Sequence, residues 1–134
     1  MTRVSARNRR EARQRAGGRC EYCQRHEQTS PFSYNIDHII SEKHGGSSDL
    51  ANLAWSCVDC NISKGLDVAA YDPDAQALVP LFNPRSQAWH DHFVMQDGRI
   101  VGLTPIGRAT VSLLQFNEPD RLETRQILIA IRQW

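Results

Sequence analysis

Apolar positions in this chain come in short runs, and their spacing changes from one segment to the next. Ser5 is placed to cap a helix reaching about Ala16, which Gly17-Gly18 ends. Arginines fall on most sides of that helix, so it reads as a surface helix. Tyr34–Ile40 has the look of a strand, followed by a Gly/Ser loop over His44–Ser48. Leu50–Ser56 is short and apolar. A short helix opens at Cys57 and runs through Lys64, where Gly65 can stop it. Farther on, Tyr71-Asp-Pro-Asp74 predicts a turn and Leu78–Phe82 a strand. His92–Met95 and Arg99–Leu103 flank Asp97-Gly98, a hairpin signal. Thr104-Pro105 starts a helix with an apolar face of Ile106, Ala109, Leu113 and Leu114, and Asn117-Glu-Pro-Asp120 starts a last one reaching Trp134. The pattern is α+β and shows no internal repeat.

One stretch breaks the pattern. Asp37 and His38 lie inside the apolar run of Ile36, Ile39 and Ile40. A carboxylate and an imidazole there are costly to bury unless something pairs with them.

The chain's 134 residues are enough for one domain with its own core. Its longest apolar run, Ile127–Ile131, is far too short to span a bilayer. The opening MTRVSARNRR has no apolar h-region, so a secretory signal is not expected and a cytoplasmic location is. The net charge of +1 hides an asymmetry: residues 1–25 carry eight Arg against Glu11 and Glu21. A basic segment on a mildly acidic body suggests a polyanion partner, with a solvated helix face as the alternative.

The four cysteines form two CxxC pairs, Cys20/Cys23 and Cys57/Cys60, with 33 residues between them. Disulfides do not suit a reducing compartment. A dithiol redox site needs one such pair, whereas a tetrahedral zinc site wants two. Structural Zn²⁺ held by Cys20, Cys23, Cys57 and Cys60 is therefore expected. His26 could replace a ligand but reads better as a loop residue.

A zinc knuckle has no need of Asp37-His38, Gly45-Gly46, Asn52 or Asn61-x-x-Lys64. Their order, ending in CxxC-Asn-x-x-Lys, resembles the HNH endonucleases over roughly Gly18–Gly65. The remainder, with Leu81-Phe-Asn-Pro-Arg85, Trp89-x-x-His92-Phe93 and Gly102-Leu-Thr-Pro105, resembles the extension of a group of compact bacterial HNH proteins. The resemblance implies a ββα-metal core clamped by the zinc, extended by a hairpin and two helices. It divides residues 1–134, taken as one domain, into a basic helix (1–17), a nuclease core (18–65) and an extension (66–134).

The resemblance also implies an activity, metal-dependent hydrolysis of phosphodiester bonds, and roles for the residues. His38 would take a proton from water, Asp37 and Asn61 would hold Mg²⁺ or Mn²⁺, and Asn52 would orient the His38 strand from within the loop. The set is Asp-His-Asn-Asn and not His-rich, and this bears on metal preference. Lys64 lies one helical turn beyond Asn61 and is a candidate phosphate contact, as are Arg7, Arg10, Arg13 and Arg85. Taken alone, Asn61 would more often cap a helix start, and Lys64 would be a solvated charge at a helix end. DNA is the expected partner, and nothing in the sequence separates it from RNA. The rival of another class is a zinc-ribbon binding module without chemistry, which leaves Asp37, His38, Asn52 and Asn61 unexplained.

Overall fold

A computed structural model describes residues 4–134; the first three residues of the basic segment, Arg3 among them, lie outside the described residues. Helix α1 spans Ala6–Arg15, and the Ser5 hydroxyl caps it by accepting from the Asn8 N–H at 3.0 Å. Its inward face buries little besides Ala12. What docks it is guanidinium chemistry. Arg9 donates to the Tyr34 carbonyl and lies 5.0 Å over the Trp55 ring, while Arg15 donates to the carbonyls of Leu50 and Leu53. The Arg-rich helix is thus partly fastened by its own arginines, which a purely solvated face would not be.

Strand β1 is Asn35–His38 and β2 is Leu53–Ser56, antiparallel with Asp37 opposite Ala54 and His38 opposite Leu53. The strand expected to run to Ile40 stops two residues early for a definite reason. The Ile39 N–H finds the Asn52 carbonyl at 2.9 Å, and the Ile40 N–H finds the Asn52 side-chain oxygen at 2.9 Å. Asn52 therefore extends the ladder past the end of β2. Helix α2, Val58–Lys64, follows β2 directly, and Cys57 is its N-cap. Asn61 lies a full turn inside it, so the helix-cap alternative for Asn61 falls away.

The second half holds two short elements that the sequence pattern hid. Strand β3, Ala69–Asp72, pairs with β4, Ala77–Pro80, so Tyr71 and Asp72 are strand and the turn comes after them. The strand expected at Leu78–Phe82 ends at Pro80: the Leu81 N–H still bonds to the Val68 carbonyl, but the Phe82 N–H turns away to the Thr110 hydroxyl. His92 belongs to a one-turn helix, α3 (Trp89–His92), and not to the strand after it. Strands β5 (Phe93–Gln96) and β6 (Arg99–Gly102) form the Asp97-Gly98 hairpin. Helix α4 (Pro105–Leu113) is capped by Thr104 as expected. Helix α5 (Pro119–Ala130) ends before Trp134; Arg132 turns the chain at φ 59°, and Trp134 folds back to within 5.9 Å of the Arg125 guanidinium.

One buried cluster joins the cysteines, Tyr22, Tyr34 and Trp55 to Phe82, Phe93, Ile100, Leu114 and Phe116. Phe93 is its hub, with ring centroids 5.3 Å from Phe82, 5.7 Å from Phe116 and 5.0 Å from Trp89. The Trp89 indole N–H donates to the Tyr22 carbonyl at 2.7 Å, tying the extension to the first knuckle. Among the described residues no helix is long and apolar enough to cross a membrane.

The extension has an electrostatic fastening of its own. Buried Asp72 accepts from Arg108 through both oxygens, at 3.2 and 2.8 Å, joining β3 to α4. The hydrogen bonds from Arg108 hold the Asp72 carboxyl below its usual range. A depressed carboxyl adds stability that is present above its unfolded pKa and is lost as pH falls through the folded value. Asp72→Asn should therefore melt at a lower temperature than the native chain at pH 7. The gap should close as pH is lowered through the carboxylate range in a calorimetric series.

Candidate active site and metal centre

The two cysteine pairs meet although the intervening segment separates them in sequence. Their four sulfur atoms all lie within 4.8 Å of one another, with Cys23 and Cys57 Sγ at 3.7 Å, and all four residues are buried. Tetrahedral Zn²⁺ with Zn–S of about 2.3 Å requires sulfurs about 3.8 Å apart. The site therefore fits zinc in donor type, number and spacing. Local structure presets it. The Cys23 N–H points at Cys20 Sγ (3.5 Å), and the Cys60 N–H at Cys57 Sγ (3.4 Å). Burial pushes the Cys20 and Cys60 thiols well up, while hydrogen bonds from Cys20, Cys57 and Cys60 pull the Cys23 thiol well down. Arg121 of α5 donates to Cys60 Sγ at 3.1 Å. Burial alone would lower its pKa, but the thiols of Cys60, Cys23 and Cys57 raise it overall. That cation reaches one of the clustered sulfurs from 61 residues away in sequence, with no motif to announce it. His26 stays outside the cluster, accepting from the Gln28 N–H in a loop turn.

The first knuckle does a second job. Tyr22, between Cys20 and Cys23, is buried, and its hydroxyl donates to Asp37 Oδ2 at 2.5 Å. Burial, then the charge of Asp37, pushes the Tyr22 hydroxyl well up and keeps it a donor. On the other side Lys64 Nζ reaches Asp37 at 3.1–3.2 Å. Its remaining bonds go to the carbonyls of His38 (3.1 Å) and Ile39 (3.2 Å). Only 1% of Lys64 is exposed, so it does not present its ammonium to an incoming phosphate. The amine expected to touch nucleic acid instead pins the strand that carries Asp37 and His38. Burial pushes the Asp37 carboxyl up, against the opposing pull of Lys64 and Tyr22.

An open cleft of about 510 Å³ lies over this network, with Asp37, His38 and Asn61 on its wall together with Ser41, Glu42 and Lys43. Strands alternate, so Asp37 faces the buried side while the half-exposed His38 faces the loop after β1. That loop is closed tightly. Gly45 has φ 88°, open to glycine, and a Cβ on Gly46 would lie 1.7 Å from the Ile40 carbonyl oxygen. Asn52 ties the loop from the inside, donating to the carbonyls of Ile40 (2.8 Å) and Ser47 (2.7 Å). The His38 ring Nε2 lies 3.0 Å from Ser48 Oγ and 3.8 Å from Glu42 Oε1.

A second metal of the hard kind is compatible with the cleft. On the cleft wall Asp37 offers an anionic oxygen donor and Asn61 a neutral one.

The arginines of α1 divide by partner. Arg7 pairs with Glu11 at 2.9 Å and Arg13 with Glu27 at 2.7 Å, while Arg10 is exposed. Arg10 and Arg13 line a groove with His26 and Gln28, apart from the His38 cleft. Arg85, a candidate phosphate contact by sequence, is turned inward onto Glu21. Desolvation lowers its pKa to about 10. The cation at the cleft itself is exposed Lys43, which no motif singled out. His90-Asp-His92 holds no further site: His90 packs edge-on against Trp89, and His92 Nδ1 is 2.6 Å from the Thr104 hydroxyl.

Comparison with known proteins bears on the same segment. Residues 20–66 match the HNH endonuclease family model. No curated protein and no solved structure matches the chain. The matched stretch starts at the first zinc-type cysteine and ends just past Gly65, so it contains both knuckles, β1, the Gly-Gly loop, β2 and α2.

Two outcomes test this construction. Cys57→Ser should release zinc, measured as metal per chain, and lower the melting temperature sharply, since a structural zinc is worth on the order of 10 kcal/mol in small zinc modules. An unchanged melting temperature would reject a structural role for the cysteines. Lys64→Met keeps the volume and removes the charge. It should cost about 3–5 kcal/mol in urea unfolding, because it strands a buried carboxylate.

Proposed function

We propose that this protein is an endonuclease that hydrolyses DNA phosphodiester bonds at the His38 cleft, using a divalent metal held by Asp37 and Asn61. The observation that carries the reading is the HNH family match over the segment whose cleft wall includes Asp37, His38 and Asn61 together. A non-catalytic zinc ribbon would have no use for an imidazole and a carboxylate on one open cleft.

The roles follow from chemistry. A divalent ion at Asp37 and Asn61 would supply charge relief at the phosphate and the leaving oxygen. His38 accepts the proton of the attacking water, a contribution of about 10² to 10⁴ in rate. It stays off the metal, as a base must. Asp37 reaches the site with its orientation fixed by Tyr22 and Lys64, so little ordering remains to be done when a cation arrives. Asn52 holds the loop so that His38 and the cleft floor keep their separation. Lys43, at the exposed rim, is placed to meet the polyanion, and α1 adds Arg10. Water is the nucleophile, so no covalent enzyme intermediate forms.

The ligand set also implies a metal preference. One carboxylate and one amide oxygen suit Mg²⁺, which binds through few protein groups and keeps several waters. Imidazole ligands would favour transition metals instead. Supercoiled plasmid incubated with Mg²⁺ or Mn²⁺ should be nicked, and His38→Ala should reduce the rate about 10² to 10⁴-fold while zinc content and DNA binding persist. Added Zn²⁺ should support little cleavage. Nicking by His38→Ala at the native rate would remove the base assignment. Activity confined to Zn²⁺ would remove Asp37 and Asn61 as ligands.

A further inference from the structure

The cysteine cluster is finished by residues far outside the matched stretch. Two of its sulfurs are served from within the knuckles, Cys20 by the Cys23 N–H and Cys57 by the Cys60 N–H. Cys60 Sγ is served from α5, where Arg121 Nη2 donates to it at 3.1 Å. The guanidinium is held from behind. Its Nη1 donates to the carbonyls of Leu114 (2.6 Å) and Gln115 (3.0 Å) at the C-terminal end of α4, and the group lies 5.8 Å over the Phe116 ring. The Asp59 carboxylate stands farther off, at 3.9 Å and half exposed, so the sulfur is the nearer partner.

The same helix roofs the cluster. Arg125, one turn beyond Arg121, is buried and donates to the Gly98 carbonyl (2.5 Å), the Phe116 carbonyl (2.7 Å) and Asn117 Oδ1 (2.9 Å). These bonds fix α5 against the β5–β6 turn and the α4–α5 connection. The chain then reverses after α5. The Gln133 N–H bonds back to the Leu128 carbonyl at 2.8 Å, and half-buried Trp134 comes to 5.9 Å from the Arg125 guanidinium. A cavity of about 20 Å³ remains between Cys23, Cys57, Arg121, Arg125 and Trp134, room for about one water molecule.

Four thiolates outweigh one Zn²⁺ by two negative charges, and a closed, water-poor pocket makes that excess costly. A guanidinium is suited to offset it, being always charged, weakly hydrated and rich in donors. Its hydrogen bond to a thiolate is charge-assisted and gains strength where water is kept out. We propose that α5 completes the zinc site: Arg121 is a positioning residue that holds the Cys60 thiolate and offsets the charge of the loaded cluster, and Trp134 closes the face through which solvent and chelators would reach it. The CxxC pairs supply the ligands, and the extension supplies the counter-charge and the cover. None of this depends on the His38 cleft or on DNA.

The deciding experiment loads the full chain with two metals, with reductant present. In competition with a chromophoric chelator, Arg121→Met should weaken zinc binding about 10- to 100-fold, the scale of outer-shell losses at metal sites. Arg121→Gln removes the charge but keeps a donor. It should lose affinity in the same direction, and it gives the same reading if Arg121→Met fails to fold. Arg121→Lys keeps the charge and should recover part of the loss. With Co²⁺ in place of zinc, the sulfur-to-metal charge-transfer bands of the native protein should lie at higher energy than those of Arg121→Met, because a thiolate without its N–H donor gives up charge to the metal more readily. Loss of mere packing would leave those bands in place. Trp134→Ala should leave the bands unmoved but release zinc to the chelator several-fold faster. A native chain that binds no zinc overturns the proposal, as do native zinc affinity and native Co²⁺ bands in both Arg121→Met and Arg121→Gln. Weakened zinc binding with unmoved bands overturns it too, since it reduces Arg121 to packing. Zinc release from Trp134→Ala at the native rate removes the cover.

Discussion

The structure of residues 20–66, the stretch that matches the HNH family model, hangs on one buried charge. Asp37 is 4% exposed, in a four-residue strand, with an aromatic core on its inner side. Leaving a carboxylate there unpaired would cost several kcal/mol. Its two partners determine much else. Tyr22 must lie within the first zinc knuckle to reach it, and Lys64 must come from the last turn of α2, so the knuckle, β1 and α2 are brought to one point by a single anion. Lys64 then spends its other donors on the His38 and Ile39 carbonyls, where β1 leaves its sheet. The same amine satisfies the end of the strand and the charge in the middle of it.

Much of this was legible in the sequence, because paired CxxC spacing, a Ser N-cap, Asp97-Gly98 and Thr104-Pro105 are local chemistry whose consequences are local. The α+β pattern, α1, α2, the β5–β6 hairpin and the start of α4 follow from such signals. What could not be read were pairings decided at a distance. Strand β3 was hidden because Tyr71-Asp-Pro-Asp74 carries turn residues, and the strand exists through its partner β4 and the Asp72–Arg108 pair. Lys64 at a helix end has the sequence signature of a solvated charge, and only the fold shows Asp37 within its reach. Arg85, too, looks like a surface cation until Glu21 of the knuckle is placed against it.

The site residues divide along the same line. Asp37, His38, Asn52 and Asn61 stand out because each is awkward where it sits: polar in an apolar run, or one position after a cysteine. Tyr22, Glu42, Ser48 and Arg121 carry no such mark. A tyrosine between cysteines suits any knuckle, and an acidic residue and a serine near Gly-Gly suit any loop. Their importance comes from what they touch: a carboxylate, an imidazole nitrogen and a zinc-type sulfur. Residues that orient others are selected by geometry, and geometry at long range leaves little trace in one sequence.

Separate placement of soft and hard donors follows from the same frame. Four thiols cluster in the buried core, where burial pushes those of Cys20 and Cys60 well up. The oxygens of Asp37 and Asn61 border the open cleft, where a cation can keep part of its water. Tyr22 stands between, with its backbone in the knuckle and its hydroxyl on Asp37. A change in the knuckle is therefore a change in the hydrogen bonding of the carboxylate. The Tyr22 hydroxyl and the Lys64 ammonium together fix the orientation of the carboxylate. The zinc-type cluster thus acts on the proposed catalytic cation at one remove, by deciding how Asp37 is held.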